Sequence, residues 1–211
     1  MLAGIVVAGD PVEALKKIEK NPMELYEIRV DAMHTLENFE LLEKHKNRLI
    51  LTVRRIEEGG FRKLSERKRK EIFERILEIS PRYVDIEHRS SIKEEVMRVA
   101  KKRDAEIILS YHNFRETPSF DTLRRIVDKM GEGDVRKIVT MARDFEDNIR
   151  LLRIYEVDKN TVAFCMGSRG KLSRLYSYFL APFTYVPLGD PIAPGQISLQ
   201  EFLMALRVVG K

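Results

Sequence analysis

Eight short runs rich in β-branched and aliphatic residues alternate with eight stretches of helical periodicity. This pattern constrains the fold more than any other feature of the chain. The strand-like runs cover 2–8, 24–31, 48–55, 83–89, 106–114, 135–143, 161–167 and 184–189. The helical stretches cover 10–20, 36–45, 65–79, 91–104, 119–130, 145–155, 170–180 and 198–209. Strict alternation of this kind needs crossover connections and therefore a parallel sheet. Eight units match a (β/α)8 TIM barrel, and 211 residues make it a compact one. No linker, low-complexity segment or repeat longer than the βα unit interrupts the pattern. A single barrel domain over 1–211 is expected. Asp10-Pro11 marks a helix start, and Ser91 with Glu94 and Ser198 with Glu201 are expected capping boxes.

Strand phase separates the barrel from an open, doubly wound sheet, whose strands would be apolar on both faces. Here one phase is polar. Glu27, Arg29 and Asp31 alternate with Ile28 and Val30; Thr52 and Arg54 share a phase. Asp85, Glu87 and Arg89 alternate with Val84, Ile86 and His88; Ser110 shares a phase with His112. Lys137 stands in line with Val135, Val139 and Met141. The apolar phase must face the helices, so the polar phase points inside, towards the C-terminal strand ends where sites of this fold lie. Buried unpaired charge is costly. These groups must pair with one another as a purely structural filling, or await a ligand.

Lys137 is the most informative of them. Alone, it reads either as an edge-strand lysine with its ammonium in water or as a buried amine. Burial disfavours the charged form of an amine, and a neutral amine attacks carbonyls to give a Schiff base. In a closed barrel there is no edge, and nucleophilicity is expected to come from burial and neighbouring cations. His112, near a strand end, is the candidate general acid–base; His34, His45 and His88 fall outside the polar phase. Several arginines point to an anionic substrate. Segments 55–60, 167–170 and 188–196 lie on the same face, and the last, rich in Gly and Pro, is the candidate lid.

Other function classes find little support. Asp85 and Glu87 lack a histidine or cysteine to complete a metal site, and Cys165 is the one cysteine. There is no dinucleotide fingerprint or P-loop. The net charge of +5 arises from helices that interleave both signs, as in LSERKRKEIFERILEIS, and these read as solvated, ion-paired faces and not as a nucleic-acid surface. No apolar run approaches a membrane span, and the N-terminus reads as a strand and not as a signal peptide, so a cytoplasmic location is expected. High charge with only two glutamines resembles a heat-adapted composition. From the residues alone, the chain is a Schiff-base lyase or aldolase acting on a small anionic carbonyl compound.

The ordered motifs Glu27-Ile28-Arg29-Val30-Asp31, Thr52-Val53-Arg54, Glu58-Gly59-Gly60, Asp85-Ile86-Glu87, Ser110-Tyr111-His112-Asn113-Phe114, Lys137, Met166-Gly167, Gly170, Ser173-Arg174 and Ala193-Pro194-Gly195-Gln196 are similar to those of the type I 3-dehydroquinate dehydratase family. The resemblance runs nearly end to end. It implies dehydration of 3-dehydroquinate to 3-dehydroshikimate, in the shikimate pathway that leads through chorismate to the aromatic amino acids. Lys137 would form the imine, His112 would move the protons and Glu58 would orient His112. Arg174 would bind the substrate carboxylate, and Glu27, Arg29, Arg54 and Gln196 would contact its hydroxyls and carboxylate. No metal or organic cofactor, no nucleic acid and no membrane are implied, and a homodimer is. Where many members carry serine four residues before the glutamine, this chain has Ile192; Arg174 with Gln196, or a backbone amide of the loop, is expected to take over that contact.

Overall fold

The computed structural model describes residues 1–190 and 192–209. Eight parallel strands lie in one sheet: β1 Leu2–Val6, β2 Leu25–Arg29, β3 Leu49–Thr52, β4 Tyr83–Glu87, β5 Glu106–Asn113, β6 Val135–Met141, β7 Thr161–Met166 and β8 Thr184–Pro187. Successive strands pair from β1 to β7, and β8 pairs with β1. Seven seams are thus hydrogen-bonded, and the sheet curls into a nearly closed (β/α)8 barrel. Among the described residues no strand pairing joins β7 to β8. Side chains cross this seam instead, with the Phe164 and Tyr185 rings edge to face at 6.2 Å. The closure is therefore less complete than the expected edge-free barrel.

Among the described residues eight α-helices flank the sheet: α1 Pro11–Lys20, α2 Glu66–Ile76, α3 Lys93–Lys101, α4 Phe120–Asp128, α5 Glu146–Leu152, α6 Ile154–Val157, α7 Lys171–Leu180 and α8 Leu199–Val208. The Asp10 carboxylate accepts the Glu13 N–H at 2.8 Å, and the Ser198–Glu201 capping box forms in both directions. The expected box at Ser91 does not form. Ile92 holds the N-cap position without a side-chain bond, so α3 starts one residue later than its sequence signal.

Two further expectations need correction. The segment between β2 and β3 is a 3-10 helix, Phe39–Arg48, and not an α-helix over 36–45. Its buried residues are Phe39 and Leu42, three apart, and a three-residue period lets a 3-10 turn bury both. The stretch 145–155 breaks at Arg153 into α5 and α6.

The core has two layers. Val6, Ile28, Leu51, Val84, Leu109 and Ile138 pack outward against helix residues such as Ile18, Phe73 and Leu123. Ala3, Leu25, Ile50, Tyr83, Ile108, Val135 and Phe183 fill the N-terminal floor of the barrel. At ~1.5–3 kcal/mol per fully buried large aliphatic side chain, both layers favour this phase and no other. With the floor apolar, the polar phase is left to the C-terminal half of the barrel.

Candidate active site

Inward positions on neighbouring strands bring alternating charges together. Lys137, from β6, donates from Nζ to Glu27 Oε1 of β2 and Asp85 Oδ2 of β4, each at 2.9 Å. Its ammonium lies 4.0 Å from the centre of the Tyr185 ring. The Thr52 hydroxyl donates to the same Glu27 oxygen at 3.0 Å. Arg54, just past β3, pairs through Nη2 with Asp85 Oδ2 at 2.7 Å, and through Nη1 with Glu87 Oε1 at 3.2 Å. Its Nη1 also donates to Ser110 Oγ at 2.6 Å, and that hydroxyl passes a 2.6 Å bond on to Asp85 Oδ1. The groups nearest Lys137 are therefore carboxylates and not the cations expected from sequence.

Burial alone would raise the Asp85 carboxyl. Arg54 and Lys137 outweigh it and hold it well below the usual carboxylate range. Burial likewise works against the Arg54 charge, yet Asp85, Glu87 and Glu27 push its pKa above the ordinary arginine value. Both groups are charged at any working pH.

Glu58 stands on the 3-10 turn Ile56–Glu58 after β3, which Gly59 ends at φ +86°. A side chain at Gly59 would be strained there and would meet Phe114 at 2.7 Å. The turn aims Glu58 at β5, where its Oε2 accepts the His112 backbone N–H at 3.0 Å and lies 3.1 Å from His112 Nδ1. An ionised Glu58 takes a hydrogen from Nδ1 and leaves Nε2 as the basic nitrogen. Burial, helped by Arg54 and Lys137, lowers the His112 pKa well below its ordinary value, so the ring is neutral near pH 7. Burial raises Glu58 to about 7; Glu87 and Asp85 add to this, while Arg54 and the His112 N–H oppose it.

Arg29 reaches its own neighbour. Nε and Nη2 bind the two oxygens of buried Asp31 at 3.0 and 2.8 Å, and Nη2 also donates to the Gly59 carbonyl at 2.8 Å. This ties the end of β2 to the Glu58 turn. Asp31 lies in a 3-10 turn beyond β2, and not in the strand.

Arg174, on α7, is buried with its guanidinium 4.4 Å from the Phe164 ring centre. Among the described residues no carboxylate pairs with it, and its Nε has no hydrogen-bond partner. Burial pushes its pKa down to about 10, which still leaves it a cation at pH 7.

In the expected lid, Pro191 lies outside the described residues. The Gln196 Oε1 accepts the Ile192 N–H at 2.6 Å and the Ala193 N–H at 3.3 Å, which leaves its Nε2 as the end for another acceptor. Gly167 N donates to Pro194 O at 2.9 Å, and a Cβ on Gly195 would lie 2.0 Å from Gly167 O. Only glycine permits this approach.

All eight residues singled out from sequence line one cleft: Glu27, Arg29, Arg54, Glu58, His112, Lys137, Arg174 and Gln196. Its volume, counting the open mouth, is about 600 Å³. Sequence reasoning missed Phe164 and Tyr185 in the lining, and it missed Arg69, a wholly buried arginine on α2. Arg69 had a signal: it occupies the buried stripe Arg69, Ile72, Phe73 and Ile76. Among the described residues no group of three His, Cys, Asp or Glu side chains is arranged around a metal position. No helix among them is long and apolar enough to cross a membrane.

A family model described as Type I 3-dehydroquinase matches residues 5–211. The chain is 47% identical to the 3-dehydroquinate dehydratase of Pyrococcus abyssi, covering 100% of this chain and 99% of that protein. It is 49% identical to that of Thermococcus gammatolerans, covering 98% and 97% respectively. The crystal structure of the 3-dehydroquinate dehydratase from Aquifex aeolicus superposes with a TM-score of 0.82 at 30% identity, covering 100% of this chain and 99% of that one. With the alignment spanning both chains and the fold in agreement, the chain belongs to the type I 3-dehydroquinase family, hydro-lyases of the shikimate pathway.

Proposed function

We propose that this enzyme dehydrates 3-dehydroquinate through a covalent imine on Lys137. The observation that carries the reading is the placement, around one cleft, of a buried lysine, a neutral histidine and an uncompensated arginine. The substrate is an anionic ketone. Its carboxylate pairs with Arg174, which has no other anion to hold it among the described residues. Its ketone then lies within reach of Lys137.

The ammonium gives up a proton before it attacks, and Glu27 Oε1 is the hydrogen-bonded acceptor, while Asp85 Oδ2 stays ionised beside it. Loss of water from the carbinolamine gives a protonated imine. That iminium carries the same single positive charge as the ammonium, so the two carboxylates that held one stabilise the other. The iminium draws electrons from the adjacent carbon and acidifies its hydrogen. His112 Nε2 takes that hydrogen, then returns it to the departing hydroxyl, which leaves as water. Glu58 fixes the tautomer that makes Nε2 basic. Hydrolysis of the imine releases 3-dehydroshikimate and restores the lysine.

Arg29, Arg54, Glu27 and Gln196 hold the hydroxyls and the carboxylate. Ile192 offers no side-chain hydrogen bond, and its amide is engaged by Gln196. The contact made by serine in many members therefore falls to Arg174 and to Gln196 Nε2. No metal or organic cofactor has a step in this scheme. We place the enzyme in the cytoplasm as a homodimer; exposed Tyr176 and Leu180 on α7, with Leu203, Met204 and Val208 on α8, support a covered face.

Borohydride reduction in the presence of 3-dehydroquinate, followed by peptide mass spectrometry, tests the proposal. A reduced adduct on Lys137 is expected. Full dehydratase activity without such an adduct would overturn it.

A further inference from the structure

Helix α2 carries one side chain that does not belong on a helix surface. Arg69 is 0% exposed. Its Nε and Nη2 donate to the Val53 carbonyl at 3.0 and 2.7 Å, and its Nη2 also pairs with Glu87 Oε2. Its Nη1 reaches Glu66 Oε1 at 2.6 Å and Ser90 Oγ at 3.3 Å. Glu87 turns its other oxygen to Arg54 Nη1 at 3.2 Å and to the Arg55 N–H at 2.9 Å. Val53 directly precedes Arg54 in the chain.

We infer that Arg69 is a positioning residue for Arg54, gripping the backbone just before it and the carboxylate that orients its guanidinium. The inference rests on the reading that Arg54 contacts substrate. Two features carry it beyond ordinary packing. The first is the fork: one guanidinium spans a carbonyl, two carboxylates and a hydroxyl at fixed angles, which an ammonium on a flexible stem does not reproduce. The second is charge. Glu27, Lys137, Asp85, Arg54, Glu87 and Arg69 form a line in which carboxylate and cation alternate. Arg69 closes that line. Without it, Glu87 keeps a single cation, Arg54, and competes with Asp85 for it. The guanidinium is then drawn from its place against Ser110 and Asp85, and the substrate-facing pose is lost.

Steady-state kinetics of Arg69→Met, Arg69→Lys and the double variant Arg69→Met/Glu87→Gln test this, with borohydride trapping alongside. Arg69→Met is expected to raise KM by roughly 10- to 100-fold, the usual cost of a lost orienting partner, with a smaller change in kcat. Arg69→Lys should fall between it and the wild type. Removing the Glu87 charge in the double variant should recover most of the loss in KM, because a neutral amide makes no claim on Arg54.

A merely structural arginine predicts another pattern: a lower melting temperature, KM within about twofold of wild type, and no rescue by Glu87→Gln. That pattern overturns the inference. If Arg69→Met does not fold, the other two variants decide. A wild-type KM in Arg69→Lys, or a double variant that folds with KM more than about tenfold above wild type, overturns it as well. Failure to trap Lys137 in the wild type would count against the imine and not against these KM ratios, so the two readings fail separately.

Discussion

Replacing Arg174 by methionine should make the protein more stable and a far poorer binder. Burial lowers the Arg174 pKa to about 10 from an ordinary 12.5. At ~1.4 kcal/mol per pH unit, the fold carries about 3 kcal/mol against the charged guanidinium. The Phe164 ring returns about 1 kcal/mol through its cation–π contact. Methionine keeps much of the stem and packs well on an aromatic ring. The unliganded variant should therefore gain about 1–2 kcal/mol. For a chain of this size that is a rise in Tm of roughly 2–8 °C. In the complex the balance reverses. Removing one partner of a buried charge pair costs roughly 2–5 kcal/mol, so kcat/KM should fall by a factor between about 30 and several thousand. Thermal unfolding followed by circular dichroism, without substrate, gives the first quantity and initial rates give the second. A Tm that falls, or a kcat/KM within threefold of wild type, would refute the reasoning. The first would mean that Arg174 is already compensated in the free protein, the second that no anion sits on it.

Two further outcomes follow from the geometry. Glu58 accepts the His112 Nδ1 hydrogen only when ionised, and its pKa is raised to about 7, so the ionised fraction grows as pH climbs through that value. Since His112 is already neutral there, kcat/KM should rise across roughly pH 6–8 to a plateau. In Glu58→Gln that inflection should vanish and the rate should drop at least about tenfold, and a pH profile that keeps it would contradict the assignment. Gly195→Ala places a Cβ 2.0 Å from Gly167 O. It should break the Gly167–Pro194 bond, displace Gln196 and raise KM several-fold with little change in Tm; unchanged KM would show that the loop does not hold substrate in this pose.

Period-2 alternation made the inward set legible: Glu27, Arg54, His112 and Lys137 each sit on the phase their neighbours predicted. Alternation reports faces, however, and not neighbours across the barrel. Lys137 and Glu27 are 110 residues apart, and no local pattern says they touch. Hence the expectation of cations around the lysine, where carboxylates stand. Arg69 was hidden by its own helix. ERKRKEIFERI reads as a charged surface when charges are counted, and yields its buried arginine only when position is followed along the stripe. The capping motif at Ser91 failed because such signals score residue types, whereas the start of α3 is set by Ile92, which is buried and fixes where the helix begins. Gln196 shows a further limit. Sequence supplies a carboxamide, and only the Ile192 and Ala193 amides decide that its oxygen is taken and its nitrogen is not.

Arg54 and Arg174, two of the three buried arginines of the cleft, therefore have different work. Arg54 enters the reaction already paired with Asp85, Glu87 and Ser110. Along its line, from Glu27 to Arg69, every cation faces a carboxylate, so the line attracts no further anion strongly. Arg174 has an aromatic face and, among the described residues, no carboxylate. The destination of a substrate carboxylate is thus set by which cation is left uncompensated, and not by how many cations surround the cleft. The covalent step we propose keeps the same balance. Ammonium and iminium each carry one positive charge at the same nitrogen, so the line from Glu27 to Arg69 stays neutral from binding to elimination. In the proposed scheme the proton that is taken and returned stays on His112 Nε2, while Glu58 holds the opposite ring nitrogen through its hydrogen bond to Nδ1. A lysine flanked by carboxylates is suited to the proposed chemistry: Glu27 accepts its proton before attack, and Glu27 and Asp85 together hold its charge afterwards.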